Sequence, residues 1–216
     1  MHTRYSDGRN ELWEMVEEAS SLGLKEIAIT DHVWRDSDWF EEYCLDIEEC
    51  IERYGMKIHI GFEAKALSTR GEIDASGVMC EKAGVRLGAV HRIPKGEEKY
   101  RYLTREEVET EPSLAYRNWF STTCGLIENP DVDIVAHPCF APMKYGLQVD
   151  RRDIEKLFEM ALEYGKRLEI SYRYGDCNLP LLEAVKRNPV FSLVLGFGSD
   201  SHGVEVLREA FGVVGR

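Results

Sequence analysis

Several features that often reveal a protein's class are missing from this sequence of 216 residues. No apolar run approaches the roughly 20 residues that a membrane-spanning helix needs, and the polar N-terminal stretch lacks the apolar segment of a signal peptide. The six cysteines form no C-x-x-C pair and no tight small-domain spacing, which favours reduced thiols over a disulfide framework. We therefore expect a cytoplasmic protein with no membrane partner.

Basic residues are also in short supply, with 27 Lys and Arg against 39 Asp and Glu and a net charge of -12. A protein whose main task is to grip a nucleic-acid backbone needs a basic surface, so this balance argues against a nucleic-acid partner. The sequence also has no G-x-S-x-G elbow, no Walker A loop and no G-x-G-x-x-G fingerprint. A serine hydrolase, a P-loop NTPase and a dinucleotide-binding protein therefore have no support.

The apolar residues that are present indicate alternating strands and helices along the whole chain. Helical spacing predicts helices at 10–23, 37–54, 75–83, 104–128 with an interruption at Pro112, 152–164, 179–186 and 204–211. Short apolar runs predict six strands at 26–30, 57–63, 85–90, 133–136, 167–172 and 192–197. This alternation is typical of an α/β fold with a parallel sheet, and we expect one domain over residues 1–216.

Candidate metal ligands lie at the C-terminal ends of these predicted strands, where the active site of a parallel barrel gathers. They are His32, Glu63, His91, His137, Asp200 and His202, and the N-terminal stretch adds His2 and Asp7. Any one of them is as consistent with a structural role as with a ligand role, but their joint placement favours metal binding. The remaining histidine, His59, is predicted to line the core.

The types of these side chains narrow the choice of metal. Imidazole and carboxylate ligands without thiolate suit Zn, Mn or Fe rather than a cysteine-rich structural zinc site. Five histidines and three carboxylates exceed the needs of one tetrahedral ion, so we predict a multinuclear site. Such a site can activate water and neutralise phosphate oxygens.

Six short motifs in a fixed order resemble the PHP (polymerase and histidinol phosphatase) family, and together they span nearly the whole chain. Each is weak alone, but the order and spacing are specific. The motifs are His2-Thr3-Arg4-Tyr5-Ser6-Asp7-Gly8, Ile29-Thr30-Asp31-His32, Gly61-Phe62-Glu63, Val90-His91, Ala136-His137-Pro138 and Gly198-Ser199-Asp200-Ser201-His202.

The resemblance implies a distorted (β/α)7 TIM-like barrel with a phosphoesterase site that holds three divalent metal ions. One ion takes His2, Glu63 and Asp200, and a second shares Glu63 and takes His91 and His137. The third takes His32, His202 and Asp7. Glu169 matches a family position only loosely and is expected to act behind the ligands.

The chain departs from the family at its start. The family opens with His-x-His, and His2 matches the second histidine, so the first would lie one position before Met1. Most of the first barrel strand is missing from this sequence at the same place. We expect that the natural chain starts further upstream and that Met1 is internal.

These expectations converge on hydrolysis of the phosphate monoester of a small metabolite by a hydroxide that the metals activate. Arg92, Arg4 and Lys65 lie within a few residues of predicted ligands, and they are our candidates for binding the phosphate at the catalytic site. Two alternatives stay open: a phosphodiesterase or exonuclease that acts on nucleic acid, and a barrel that binds metal without catalysis. The sequence leaves the oligomeric state open.

Overall fold

The computed structural model describes residues 1–214, and of residues 212–214 only the backbone. Its helices are α1 Leu12–Ser21, α2 Phe40–Tyr54, α3 Gly77–Lys82, α4 Arg105–Thr110, α5 Pro112–Glu128, α6 Phe140–Lys144, α7 Arg151–Tyr164, α8 Leu179–Arg187 and α9 Val204–Val214. Its strands are β1 Glu26–Ile29, β2 His32–Val33, β3 Lys57–Lys65, β4 Val85–Ala89, β5 Ile134–Ala136, β6 Arg167–Ser171 and β7 Leu195–Gly198. Within this described part, no helix combines the length and the apolar character that crossing a membrane requires.

The chain divides into two compact units. The first comprises Met1–Ala64, Ala75–Arg86 and the residues from Ser199 onward, and the second comprises Lys65–Asp74 and Leu87–Gly198. This division does not decide how many domains the chain has, so the single domain stays a prediction.

In the first unit, β1 and β2 each pair in parallel with β3. The register sets Ile29 beside Ile60 and His32 beside Glu63. The helix α1 packs against α2 and α9, and it buries an apolar face of Leu12, Met15, Val16 and Ala19. The parallel register therefore places two predicted ligands, His32 and Glu63, next to one another.

In the second unit, β4, β5, β6 and β7 are parallel neighbours in chain order. The helix α7 packs against α5 and α8, and its buried residues include Leu157 and Phe158. Pro112 occupies the first turn of α5, where its missing N–H is not needed. It therefore separates α4 from α5, as the sequence predicts.

Some elements differ from the prediction, among them the two-residue strand β2, which is too short for an apolar pattern to reveal. The segment expected to begin the last strand, Ser192–Val194, belongs to a 3-10 helix over Pro189–Val194, so β7 begins only at Leu195. Pro189 fixes its own φ near the helical value and starts this tight turn. The short helix α6 after His137 was not predicted, because five residues with Pro142 in the middle show no clear helical period.

Candidate metal centre

The N-terminal stretch of the first unit is folded against the chain but forms no strand. The backbone nitrogen of His2 donates to the carbonyl of Ser201 at 2.8 Å, and the carbonyl of Met1 accepts from the nitrogen of Thr30 at 2.9 Å. His2 is consequently buried, with 1% of its surface exposed. A terminal histidine is thus held inside the protein.

Asp31 is the residue that fixes this stretch, and it lies one position before the predicted ligand His32. Its carboxylate accepts hydrogen bonds from the nitrogen of Thr3 at 2.7 Å, the hydroxyl of Thr3 at 2.8 Å and the hydroxyl of Ser6 at 2.6 Å. Asp31 itself is fully buried. The buried carboxylate of Asp31 therefore holds the segment between His2 and Asp7 in place.

His2 stands between two buried acids. Its Nε2 lies 3.1 Å from Oδ1 of Asp200 and 3.4 Å from Oε2 of Glu63. Burial lowers the pKa of His2, but its hydrogen bonds to Asp200 and Glu63 outweigh that effect and raise the pKa to about 9. Two buried carboxylates demand a nearby positive charge, which a divalent cation can supply as well as an imidazolium.

A second group of potential ligands shares His2 and opens toward solvent. Oδ1 of Asp7 lies 3.1 Å from Nε2 of His202 and 3.7 Å from Nε2 of His32. The ring of His2 stacks on that of His202 at 4.3 Å and lies 4.4 Å from that of His32. Burial and the neighbouring charge of His2 lower the pKa of His202, which favours the neutral imidazole that binds metal.

These two groups have the geometry of metal sites. In each, one ligand atom per residue can be chosen so that all lie within 4.8 Å of one another. The first group is His2, Glu63 and Asp200, and the second is His2, Asp7, His32 and His202. Histidine nitrogen and carboxylate oxygen together suit Zn, Mn or Fe.

The second unit brings together two further predicted ligands, His91 and His137. Their ring centroids are 5.0 Å apart. Phe140 and Tyr174 make edge contacts with the ring of His137 at 5.4 and 5.1 Å, and the Nζ of Lys144 donates to the carbonyl of His91 at 3.4 Å. Sequence patterns do not indicate these three neighbours, because their proximity depends on α6 and on the turn after β6.

The three predicted phosphate-binding cations all have partners. Nζ of Lys65 lies 3.1 Å from Oδ2 of the buried Asp74, and the guanidinium of Arg92 lies over the ring of Tyr102 at 4.9 Å. Arg4 donates to Oε1 of Glu11 at 2.8 Å and to the carbonyl of Arg9 at 3.1 Å. Their role in phosphate binding stays a prediction.

His59 lies outside the groups of potential ligands, but it does not line the core as predicted, because its side chain is 31% exposed and pairs with the acid that begins β1. Its Nε2 lies 2.6 Å from Oε1 of Glu26, and the same oxygen lies 2.8 Å from Nζ of Lys57.

Cys139, two residues after His137, is fully buried. Burial raises the pKa of its thiol to about 12, which disfavours the thiolate, the form of cysteine that acts as a nucleophile.

Comparisons with known proteins show which family this chain is similar to. A profile of the PHP domain matches residues 1–173. A probable phosphatase of Caldanaerobacter subterraneus subsp. tengcongensis is 30% identical over 200 residues, which cover 88% of this chain and 68% of that protein. The DNA polymerase/3'-5' exonuclease PolX of Bacillus subtilis is 25% identical over 223 residues, which cover 97% of this chain but only 34% of PolX.

A solved structure with a similar fold is that of histidinol phosphate phosphatase from Lactococcus lactis, complexed with zinc, L-histidinol and phosphate. The match has a TM-score of 0.65 and 18% identity, and it covers 100% of this chain and 92% of that one. At this identity the likeness concerns the fold alone. It confirms the predicted class, an α/β fold related to a distorted TIM barrel.

Proposed function

This chain belongs to the PHP-domain family, as its match over residues 1–173 shows, and on that basis we propose that it is a metal-dependent phosphoesterase that hydrolyses the phosphate monoester of a small metabolite. The observation that carries the proposal is the convergence of His2, Glu63 and Asp200 with Asp7, His32 and His202 in the first unit. Six side chains from four separate segments supply imidazole and carboxylate to one place. Metal-assisted hydrolysis is the chemistry that such a donor set serves.

The residues of the first unit fit divalent cations. Glu63 and Asp200 are 3% and 7% exposed, and a pair of buried carboxylates on either side of one imidazole is costly without a cation. Asp7 faces two imidazoles on the more open side. We assign one ion to His2, Glu63 and Asp200, and another to Asp7, His32 and His202.

The third ion that the family resemblance implies, with Glu63, His91 and His137, stays a prediction. So does the choice among Zn, Mn and Fe. Imidazole and carboxylate ligands accommodate each of these metals, and affinity alone does not distinguish them.

A divalent cation bound by these side chains supplies a Lewis acid, which neutralises phosphate oxygens and makes water nucleophilic at neutral pH. The protein's own part is to hold the ligands and to orient the substrate. Asp31 orients the segment that carries His2 and Asp7 through its bonds to Thr3 and Ser6. Arg92, Lys65 and Arg4 are the proposed cations for the remaining phosphate oxygens, and guanidinium suits this role because it can bind two oxygens at once.

Two observations favour a small monoester over a nucleic acid. The chain carries a net charge of -12, which repels a polyanionic backbone. The relative from Caldanaerobacter is also called a probable phosphatase, and this chain covers more of it than of PolX.

A phosphodiesterase that acts on nucleic acid is the second candidate, and the likeness to PolX over 97% of this chain supports it. The two candidates differ in the ester that they hydrolyse. The test compares p-nitrophenyl phosphate with bis-p-nitrophenyl phosphate and single-stranded DNA, using protein loaded with Mn or Zn. We expect a higher kcat/KM for the monoester, and a screen of phosphorylated metabolites then identifies the substrate; faster cleavage of the diester or of DNA supports the second candidate.

A further inference from the structure

Glu169 is a buried acid on β6 of the second unit, and it belongs to neither group of potential ligands. It is 6% exposed. Its Oε2 accepts a hydrogen bond from the backbone nitrogen of His137 at 2.9 Å. A carboxylate thus reaches from one strand to the residue that follows the neighbouring strand, β5.

The backbone of His137 is in a conformation that needs such support. Its φ is +29°, in the region that side-chain-bearing residues rarely adopt. Strain of this kind persists only where the surroundings enforce it. A hydrogen bond from a backbone N–H to a charged carboxylate is stronger than one to a neutral acceptor. Here this bond holds the peptide group that determines the direction of the His137 side chain.

Gly198 provides the space for this carboxylate. A Cβ at Gly198 would lie 1.7 Å from Oε1 of Glu169, which no real contact allows. Gly196, two residues earlier on β7 and opposite Glu169 in the register, has no atom closer than 3.8 Å to an added Cβ. Only the glycine of the Gly198-Ser199-Asp200 motif is therefore required for the position of Glu169.

We propose that Glu169 is a positioning residue for the metal ligand His137, and that Gly198 is a glycine because the Glu169 carboxylate occupies the place of its side chain. This inference rests on the proposed function, which makes His137 a ligand. In this role Glu169 contacts the backbone of the ligand rather than the metal or the substrate. It acts by holding the backbone of a ligand in a strained conformation.

The test measures zinc affinity of the full chain by competition with a chromophoric chelator. We expect Glu169→Ala and Gly198→Ala each to lower the zinc affinity of the site that contains His137 by about tenfold or more, as the loss of a residue that orients a ligand commonly does. Glu169→Gln keeps an acceptor oxygen and is expected to lose less affinity than Glu169→Ala. Gly196→Ala is the matched control on the same strand, and Glu163→Ala is the control for removal of an exposed acid from the second unit.

A double-mutant cycle separates positioning from a general structural role. If Glu169 acts through His137, the Glu169→Ala/His137→Ala double variant binds zinc as weakly as His137→Ala alone. The proposal is wrong if the fold losses of zinc affinity from the two substitutions multiply in the double variant. It is also wrong if Glu169→Ala binds zinc with wild-type affinity.

Circular dichroism shows whether each variant folds. If Glu169→Ala and Gly198→Ala both fail to fold while Gly196→Ala folds, the carboxylate supports the whole fold and the proposal is wrong. Unchanged zinc affinity in His137→Ala overturns the assignment of His137 as a ligand, and this proposal with it. Zinc-loaded protein that fails to hydrolyse phosphoesters contradicts only the proposed activity, because the cycle reads out metal binding.

Discussion

The carboxylate of Asp31 accepts hydrogen bonds from both the backbone nitrogen and the hydroxyl of Thr3, at 2.7 and 2.8 Å. Thr3 directly follows His2, the histidine that stands between Glu63 and Asp200. One buried acid that is not itself in a group of potential ligands therefore helps to position the candidate ligand His2. Both Asp31 and Thr3 are fully buried, so neither side chain can exchange this partner for water.

Replacing Asp31 tests this relationship. Asp31→Ala leaves two buried donors of Thr3 without an acceptor, and we expect it to lower the free energy of unfolding by about 3 kcal/mol. Urea unfolding measures the effect. The control is Asp38→Ala, which removes an exposed acid from the segment that follows β2. An Asp31→Ala protein as stable as Asp38→Ala would show that the N-terminal stretch is not held in this way.

Zinc should stabilise the fold through the ligand groups of the first unit. Binding only to the folded state contributes about 2.7 kcal/mol at a zinc concentration of 100 times Kd, so we expect the thermal midpoint to rise with zinc and to fall again with EDTA. His202→Ala should reduce this rise, whereas His59→Ala, whose histidine pairs with Glu26, should keep it. Equal responses of the two variants would contradict the assignment of ligands.

Arg92 is the preferred phosphate-binding cation, and its contribution should appear in substrate binding. We expect Arg92→Ala to raise KM for p-nitrophenyl phosphate about tenfold, because the phosphate loses a guanidinium partner. Arg92→Lys should recover part of the loss. Arg101→Ala, at an exposed arginine that lies 3.7 Å from Glu98, is the control; if its kinetics match those of Arg92→Ala, Arg92 is ordinary surface charge.

Tyr43 provides a test of the fold that leaves the ligands in place. Its buried hydroxyl lies 2.8 Å from the carbonyl of Ile29 and 2.9 Å from that of Gly61, so it ties α2 to β1 and β3. Tyr43→Phe should lower the free energy of unfolding by about 1–3 kcal/mol with little change in kcat. Tyr164→Phe, at an exposed tyrosine, should change neither quantity, and a Tyr43→Phe protein of wild-type stability would argue against this tie.

The sequence predicts most of the α/β order because strands such as Glu26–Ile29 and helices such as α7 have strong periodic patterns. It fails where local turn geometry overrides the pattern. The apolar run at Ser192–Val194 reads as strand, but Pro189 begins a 3-10 turn there. The two-residue strand at His32–Val33 is too short for any periodicity to reveal.

For the site, the sequence indicates the candidate ligands more readily than the residues that hold them in place. Glu63, Asp200 and His202 are recognisable because they are metal-binding types at or just past the ends of strands, and His2 is recognisable because it belongs to the first motif. Asp31 and Glu169 are acids of the same type in similar places. The family resemblance already implies that Glu169 acts behind the ligands, but only tertiary contacts show that both carboxylates accept from backbone N–H groups. The partner of Arg4, Glu11, is likewise visible only once α1 is folded.

The most direct test of the proposed activity is the rate of phosphate release from p-nitrophenyl phosphate as metal-free protein is titrated with Mn or Zn. We predict no release without metal, a rate that rises with bound metal, and loss of that rate in His202→Ala but not in His59→Ala. Folded, metal-loaded protein that releases no phosphate would show that this PHP-family chain binds metal without being a phosphoesterase.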